Sequence, residues 1–195
     1  PPIDDLDLFV GGIADDIHLA DILPDADVIP TDLGGVRWKP TGSVYAIDIC
    51  RLQDFIIIKK YGLAPKLENL IDTLDFTMNA VVYDLNRQHL RERYALTHIK
   101  RRIMVFNTRK LYTKIATAYR TLLLRFKTGF ALSEDVFNYV KLSIDIDTLT
   151  AVKQILNNRI GRKKRREVLA DYDDICSFAN FDEYWFHNKT QGSKT

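Results

Sequence analysis

The chain has 195 residues, 46% of them hydrophobic, enough to bury one or two small cores. It contains no apolar run long enough to span a membrane as a helix, and its two cysteines, Cys50 and Cys176, are too few for a disulfide framework and fit a reducing, cytoplasmic setting. The net charge of +2 hides a division: residues 1–84 carry 15 acids against 6 bases, and residues 85–195 carry 11 acids against 22 bases. An acidic front suits a cation and a basic back suits phosphate, although either can be a solvated face. The opening Pro1-Pro2 shows no initiator Met and no signal pattern, and reads as a fragment or processed piece.

In chain order, residues 6–10 predict a strand ending at Gly11-Gly12. Residues 13–23 predict a short helix with Ile13, Ile17, Leu19, Ala20 and Leu23 on its buried face, and Pro24-Asp25 opens a second strand over 26–29. Residues 31–40 are turn-rich around Gly34-Gly35, and 43–50 alternate as a strand with Val44, Ala46 and Asp48 on one side. A helix over 68–74 and a strand over 78–83 follow. Interleaved strands and helices predict an α+β head with a mixed sheet over residues 1–86. Beyond it the texture turns helical: long periodicity over 94–126, then helices over 134–142, 149–160 and 168–179. Residues 87–195 therefore read as a small, basic, all-α domain with a polar tail after Asn188 that is expected to fray.

Asp25 and Asp27 flank one residue on a predicted strand. Side chains alternate along a strand, so both carboxylates face one side. Such a pair suits Mg²⁺, which takes one or two carboxylates and completes its shell with substrate phosphates. Asp48 can add a third oxygen if its strand pairs beside the first. Gly11-Gly12, at a strand-to-helix turn, frees backbone N–H groups to approach phosphate. Spacing alone does not select this pair, because Asp5-Leu-Asp7 and Asp145-Ile-Asp147 repeat the pattern. The four histidines, at 18, 89, 98 and 187, have no metal-ligand spacing, so zinc is not expected.

Leu8-Phe-Val-Gly-Gly-Ile-Ala-Asp-Asp-Ile-His-Leu-Ala-Asp-Ile-Leu-Pro-Asp-Ala-Asp-Val28 resembles the opening motif of the CCA-adding enzyme and bacterial poly(A) polymerase family, a Gly-Gly-x-Val-Arg-Asp segment followed at this interval by Asp-x-Asp. Thr73-Leu-Asp-Phe-Thr-Met-Asn-Ala80 is similar to the family's Arg-Arg-Asp-Phe-Thr-x-Asn-Ala. Ser43-Val-Tyr-Ala-Ile-Asp48 resembles the strand bearing its third carboxylate, and Arg120-Thr-Leu-Leu-Leu-Arg-Phe-Lys-Thr-Gly-Phe130 the helix that follows the head. The likeness covers residues 6–132. It implies a polymerase-beta-like nucleotidyltransferase head, with Asp25, Asp27 and Asp48 as catalytic ligands of Mg²⁺ or Mn²⁺. It places Gly11 and Gly12 against the triphosphate, with Asp75, Asn79 and Arg120 near the nucleotide. The activity implied is transfer of a nucleoside monophosphate from a nucleoside triphosphate, ATP among them, to a hydroxyl, with the 3′ end of a tRNA-like RNA favoured.

Three departures stand out. Asp15 replaces the arginine of the first motif, Leu74 replaces the second arginine of the second, and the base-reading Glu-Asp-x-x-Arg has no counterpart around Thr113-Lys-Ile-Ala-Thr117. Two other functions compatible with these departures are nucleotidylation of a small molecule or protein, and a catalytically inactive RNA- or nucleotide-binding subunit. On the residues alone, Asp75 and Asn79 also fit a turn corner whose side chains satisfy backbone groups. Finally, Arg159-Ile-Gly-Arg162-Lys163-Lys164-Arg165-Arg166 concentrates six bases in eight residues. It is an RNA-contact candidate, or else a solvated helix start or a localisation-like run. The nearby Tyr184-Trp-Phe186 is expected to pack in a core rather than stack on bases.

Overall fold

The computed structural model describes residues 6–24, 26–108 and 113–192. They fall into two compact units, Pro1–Thr73 and Leu74–Thr195.

In the first unit, strands β1 (Leu6–Val10), β2 (Ala26–Pro30), β3 (Val36–Pro40) and β4 (Ile47–Arg51) form one sheet in the order β1-β4-β3-β2. β1 and β4 run parallel and the other neighbours antiparallel, so the sheet is mixed, as predicted. The helices are α1 (Leu19–Ile22), α2 (Ile56–Lys60) and α3 (Leu67–Thr73). Ile49, Phe55, Ile58 and Leu70 are buried, and the Phe55 ring meets Phe9 edge-on at 5.2 Å. The β2–β3 turn depends on glycine. A Cβ on Gly34, at φ +93°, would lie 2.2 Å from the Asp54 carbonyl oxygen, and one on Gly35 would lie 2.3 Å from that of Ile49.

Three sequence expectations change here. The 13–23 helix contracts to α1, because the carbonyls of Ala14, Asp15 and Ile17 accept hydrogen bonds from Arg51. The turn-rich stretch 31–40 ends in strand β3, whose Val36, Arg37 and Trp38 pair with β4. Residues 43–46 precede β4 rather than belong to it: Ser43 Oγ accepts the Tyr45 amide in a turn and leaves Val44 84% exposed.

The second unit opens with a 3₁₀ turn, Thr77–Asn79, and the hairpin β5 (Val81–Asp84) and β6 (His89–Glu92). α4 (Ala95–Lys100) follows, then β7 (Ile103–Met104), which pairs in parallel with β8 (Ala131–Leu132). The periodicity over 94–126 is thus shared between α4, β7 and α5 (Lys114–Thr128), and residues 109–112 lie outside the described residues. Thr113 caps α5 by accepting the Ala116 amide at 3.0 Å, and Gly129, at φ +63°, ends it. α6 (Glu134–Asn138) continues into a π turn at Tyr139–Ser143, and α7 (Ile146–Arg159), α8 (Arg162–Ser177) and α9 (Phe181–Gly192) complete the unit. Its core gathers Phe76, Leu122, Phe137, Leu156 and Ile175. Tyr184 sits within it, 1% exposed, its hydroxyl oxygen accepting the Leu132 amide at 2.7 Å, so the expected core role holds for Tyr184 while Phe186 is exposed.

Candidate functional site

Cross-strand partners share a sheet face, and the register therefore lines up Asp7, Asp48, Arg37, Lys39 and Asp27 on one side. Asp7 pairs with Asp48, Asp48 with Arg37, and Asp27 with Lys39. Asp25 lies outside the described residues. Asp48 is held by a bidentate fork, with Arg37 Nε on Oδ1 and Nη2 on Oδ2, both at 2.6 Å. β3 stands between β2 and β4, so Asp48 is not on the strand beside Asp27, as the sequence reading required for a three-carboxylate set. Among the described residues no three His, Cys, Asp or Glu side chains converge as a metal-binding group. The donor chemistry fits a hard cation through exposed Asp27, a carboxylate on a strand, with the rest of the shell left to phosphates. Asp48 can join only if Arg37 lets go.

Gly11 and Gly12 follow β1, with Gly12 at φ +74°. Val10 pairs with Arg51, which sets Gly11 level with Leu52, whereas Asp27, opposite Lys39, is level with Ala46. Six residue steps separate the two levels, roughly 20 Å along the strands. In this arrangement one triphosphate does not touch both Gly12 and Asp27.

The glycine loop is organised by residues that motif reading missed. Arg51, at the end of β4, donates through Nη1 to the carbonyls of Ala14 (3.0 Å), Asp15 (3.3 Å) and Ile17 (2.8 Å), and through Nε to Asp54. Gln53 Nε2 adds a bond to the Ile13 carbonyl at 2.7 Å. Burial pulls the Asp54 carboxyl up, but its bonds from Arg51 and Lys59 outweigh that and leave it below the usual carboxylate range. The sequence signal was slight: an arginine closing an apolar strand, followed three residues later by an acid.

The second motif does assemble. Asp75 Oδ1 accepts the Phe76 amide at 2.9 Å and Asn79 Nδ2 at 3.2 Å, while Oδ2 accepts Arg120 Nε from α5. Asp75, Asn79 and Arg120 are thus brought together; Asp75 also plays the turn-corner role by accepting the Phe76 amide, whereas the Asn79 side chain bonds the Asp75 carboxylate rather than backbone. Buried Thr77 donates its amide to the Val105 carbonyl and bonds His98 Nδ1 through its hydroxyl at 2.8 Å, tying the corner to α4. Lys114 and Thr117 lie in the stretch 113–117, where the resemblance placed no counterpart of a base-reading motif. Lys114 pairs with Asp145, and Thr117 is buried with its hydroxyl on the Thr113 carbonyl.

The basic run spans the α7–α8 junction. Arg159, Arg162, Lys163, Lys164 and Arg166 are exposed, whereas Arg165 is half-buried and donates to Asn157 Oδ1. The first turn of α8 holds no acid, so its cations face the positive end of the helix dipole, an arrangement that an anion would relieve. The Arg159 guanidinium lies 5.9 Å from the Tyr119 ring centroid.

The fold is similar to that of solved CCA-adding enzymes. A CCA-adding enzyme solved with ATP matches 88% of this chain at a TM-score of 0.55 and 17% identity. One solved with CTP matches 88% at 0.55 and 14%, and the Bacillus stearothermophilus CCA-adding enzyme with CTP matches 87% at 0.51 and 19%. The chain spans 42–44% of the length of these structures. No protein-family model and no curated protein sequence matches it. Among the described residues no helix is long and apolar enough to cross a membrane.

Proposed function

We propose that the chain transfers a nucleoside monophosphate from a nucleoside triphosphate to a hydroxyl, with the 3′ end of an RNA as acceptor. The observation that carries this reading is the fold likeness to CCA-adding enzymes, which extends over nearly nine-tenths of the chain. The assembled Asp75–Asn79–Arg120 corner, at the positions where the motif predicted it, supports it. Asp25 and Asp27 would hold a divalent ion, Mg²⁺ or Mn²⁺, which supplies charge stabilisation to the triphosphate and the departing pyrophosphate. Asp48, forked to Arg37 and with β3 between it and Asp27, is left outside that set. Arg159, Arg162, Lys163, Lys164, Arg165 and Arg166 would contact RNA phosphates; the charge of the four that open α8, Arg162 to Arg165, is the wrong sign for a helix start and the right one for an anion.

With Lys114 tied to Asp145, the base-reading stretch offers no carboxylate to the incoming base. Stacking and shape discriminate by only about 1–3 kcal/mol, so the product expected is one residue or a short homopolymer rather than ordered C-C-A.

A second reading, an RNA- or nucleotide-binding subunit without transfer, is favoured by the Arg37–Asp48 fork and the separation of Gly12 from Asp27. Incubating the protein with total RNA and each α-labelled triphosphate in Mg²⁺ or Mn²⁺ separates the two. Label joined to RNA 3′ ends supports transfer, and RNA retained without label incorporation supports binding alone.

A further inference from the structure

Residues 85–102 form a surface that neither the motifs nor the basic run explains. They carry six Lys or Arg against one acid, Glu92. Large apolar side chains stand exposed among those charges: Leu85, Leu90, Tyr94, Leu96 and Ile99, with Tyr83 facing Leu90 across the hairpin. Isolated exposed apolar residues need no explanation, but aromatic and aliphatic groups interleaved with cations are the composition of a single-strand platform.

Backbone conformation makes the same point independently. Among the described residues, the non-glycine positions with positive φ are Gln88, Tyr94 and Arg102, all in this segment. The left-handed region is costly for a bulky aromatic residue. Tyr94 nonetheless adopts φ +61° at the start of α4 with 64% of its surface exposed. Little packing is gained in return, so folding alone gives no reason for a tyrosine where glycine or asparagine would be cheaper. The segment is not loose: Ala95 is fully buried, and His98, one helical turn from Tyr94, stacks near its ring at 6.0 Å and bonds Thr77 in the second motif. Arg101, exposed, continues the same helix face at the spacing that brings side chains together.

We propose that the β5–β6 hairpin and α4 form a contact for single-stranded RNA, with a base stacked on Tyr94 and phosphates met by Lys100 and Arg101. This rests on the reading of RNA as the acceptor but not on transfer itself, so a subunit that binds without transferring would keep the contact. Charge selects the occupant: a symmetric second copy would set two basic segments face to face, whereas a polyanion is complementary.

The test uses the full chain and a fluorescein-labelled unstructured ten-nucleotide RNA at low salt. Tyr94→Gly removes the ring and relieves the backbone, so its melting temperature is expected to stay level or rise while affinity falls about tenfold or more. Tyr94→Trp is expected to bind within about twofold of wild type. Lys100→Gln with Arg101→Gln is expected to flatten the slope of log affinity against log salt by about 1.4. Binding by Tyr94→Gly equal to wild type would overturn the proposal, as would a wild-type protein that does not bind the oligonucleotide. So would a Tyr94→Gly effect seen only in oligomeric state by light scattering, or only in binding to phosphatidylserine vesicles. Loss of RNA binding through Tyr94 in a protein that shows no transfer sustains this contact while the transferase reading falls.

Discussion

The Asp75–Arg120 pair offers a quantitative check on the corner that the second motif builds. Asp75 is 17% exposed and Arg120 50%, so the pair lies between two regimes. Exposed ion pairs are worth about 0.2–1 kcal/mol, and breaking a buried one costs about 3–5 kcal/mol. A coupling of about 1–2 kcal/mol is expected from a double-mutant cycle of Asp75→Asn and Arg120→Gln. At an m-value of about 1.5 kcal/mol/M, the middle of that range shifts the urea midpoint by about 1 M. Asp75→Ala should cost about 1 kcal/mol more than Asp75→Asn, because the Phe76 amide and Asn79 also lose their acceptor. The chain carries one tryptophan in each unit, Trp38 and Trp185. A Trp38→Phe background makes fluorescence report the unit that contains the pair. A coupling below about 0.3 kcal/mol would refute the view that this bond braces the corner.

Other outcomes follow from the same geometry. Gly35→Ala should destabilise the first unit by more than about 2 kcal/mol in denaturant titration, since its Cβ would meet backbone rather than a movable side chain. Burial first, then the Asp54 charge, push the Cys50 thiol up to about 11, so it stays protonated through pH 9 and should resist iodoacetamide there in mass spectrometry, losing that resistance only as pH climbs towards 11. Neutralising Arg162, Lys163 and Lys164 together should flatten the salt dependence of RNA binding by about two to three units, and an unchanged slope would return the run to a solvated helix start.

Much of the fold was legible because its signals are local. The 6–10 strand ends where Gly12 needs a positive φ, and α5 begins at a Thr113 cap and ends at Gly129, both readable in sequence. The turn at Asp75–Asn79 was legible for the same reason, its side-chain bonds joining residues four or fewer apart, whereas Arg120 and His98 reach it from more than 20 residues away. The losses are non-local. Arg51 takes three carbonyls from a segment more than 30 residues away, and nothing within that segment's own apolar periodicity announces that its helix will fail to form. β3 was read as turn because Gly34-Gly35 and Pro40 flank it, yet pairing on both edges makes it a central strand and moves Asp48 away from Asp27. The long 94–126 periodicity misled because apolar spacing does not reveal the turn at Arg102, whose positive φ breaks the run.

If a divalent ion at Asp25 and Asp27 supports nucleotidyl transfer, single substitutions of these carboxylates will abolish it. Asp27→Asn and Asp25→Asn, assayed with labelled triphosphate and RNA in Mg²⁺, are expected to lower transfer on the order of a thousandfold or more while the melting temperature holds. Asp145→Asn, in the competing Asp-x-Asp, is expected to retain transfer. Full activity in Asp27→Asn, or a loss confined to Asp145→Asn, would rule out an ion held by Asp25 and Asp27 as the basis of transfer.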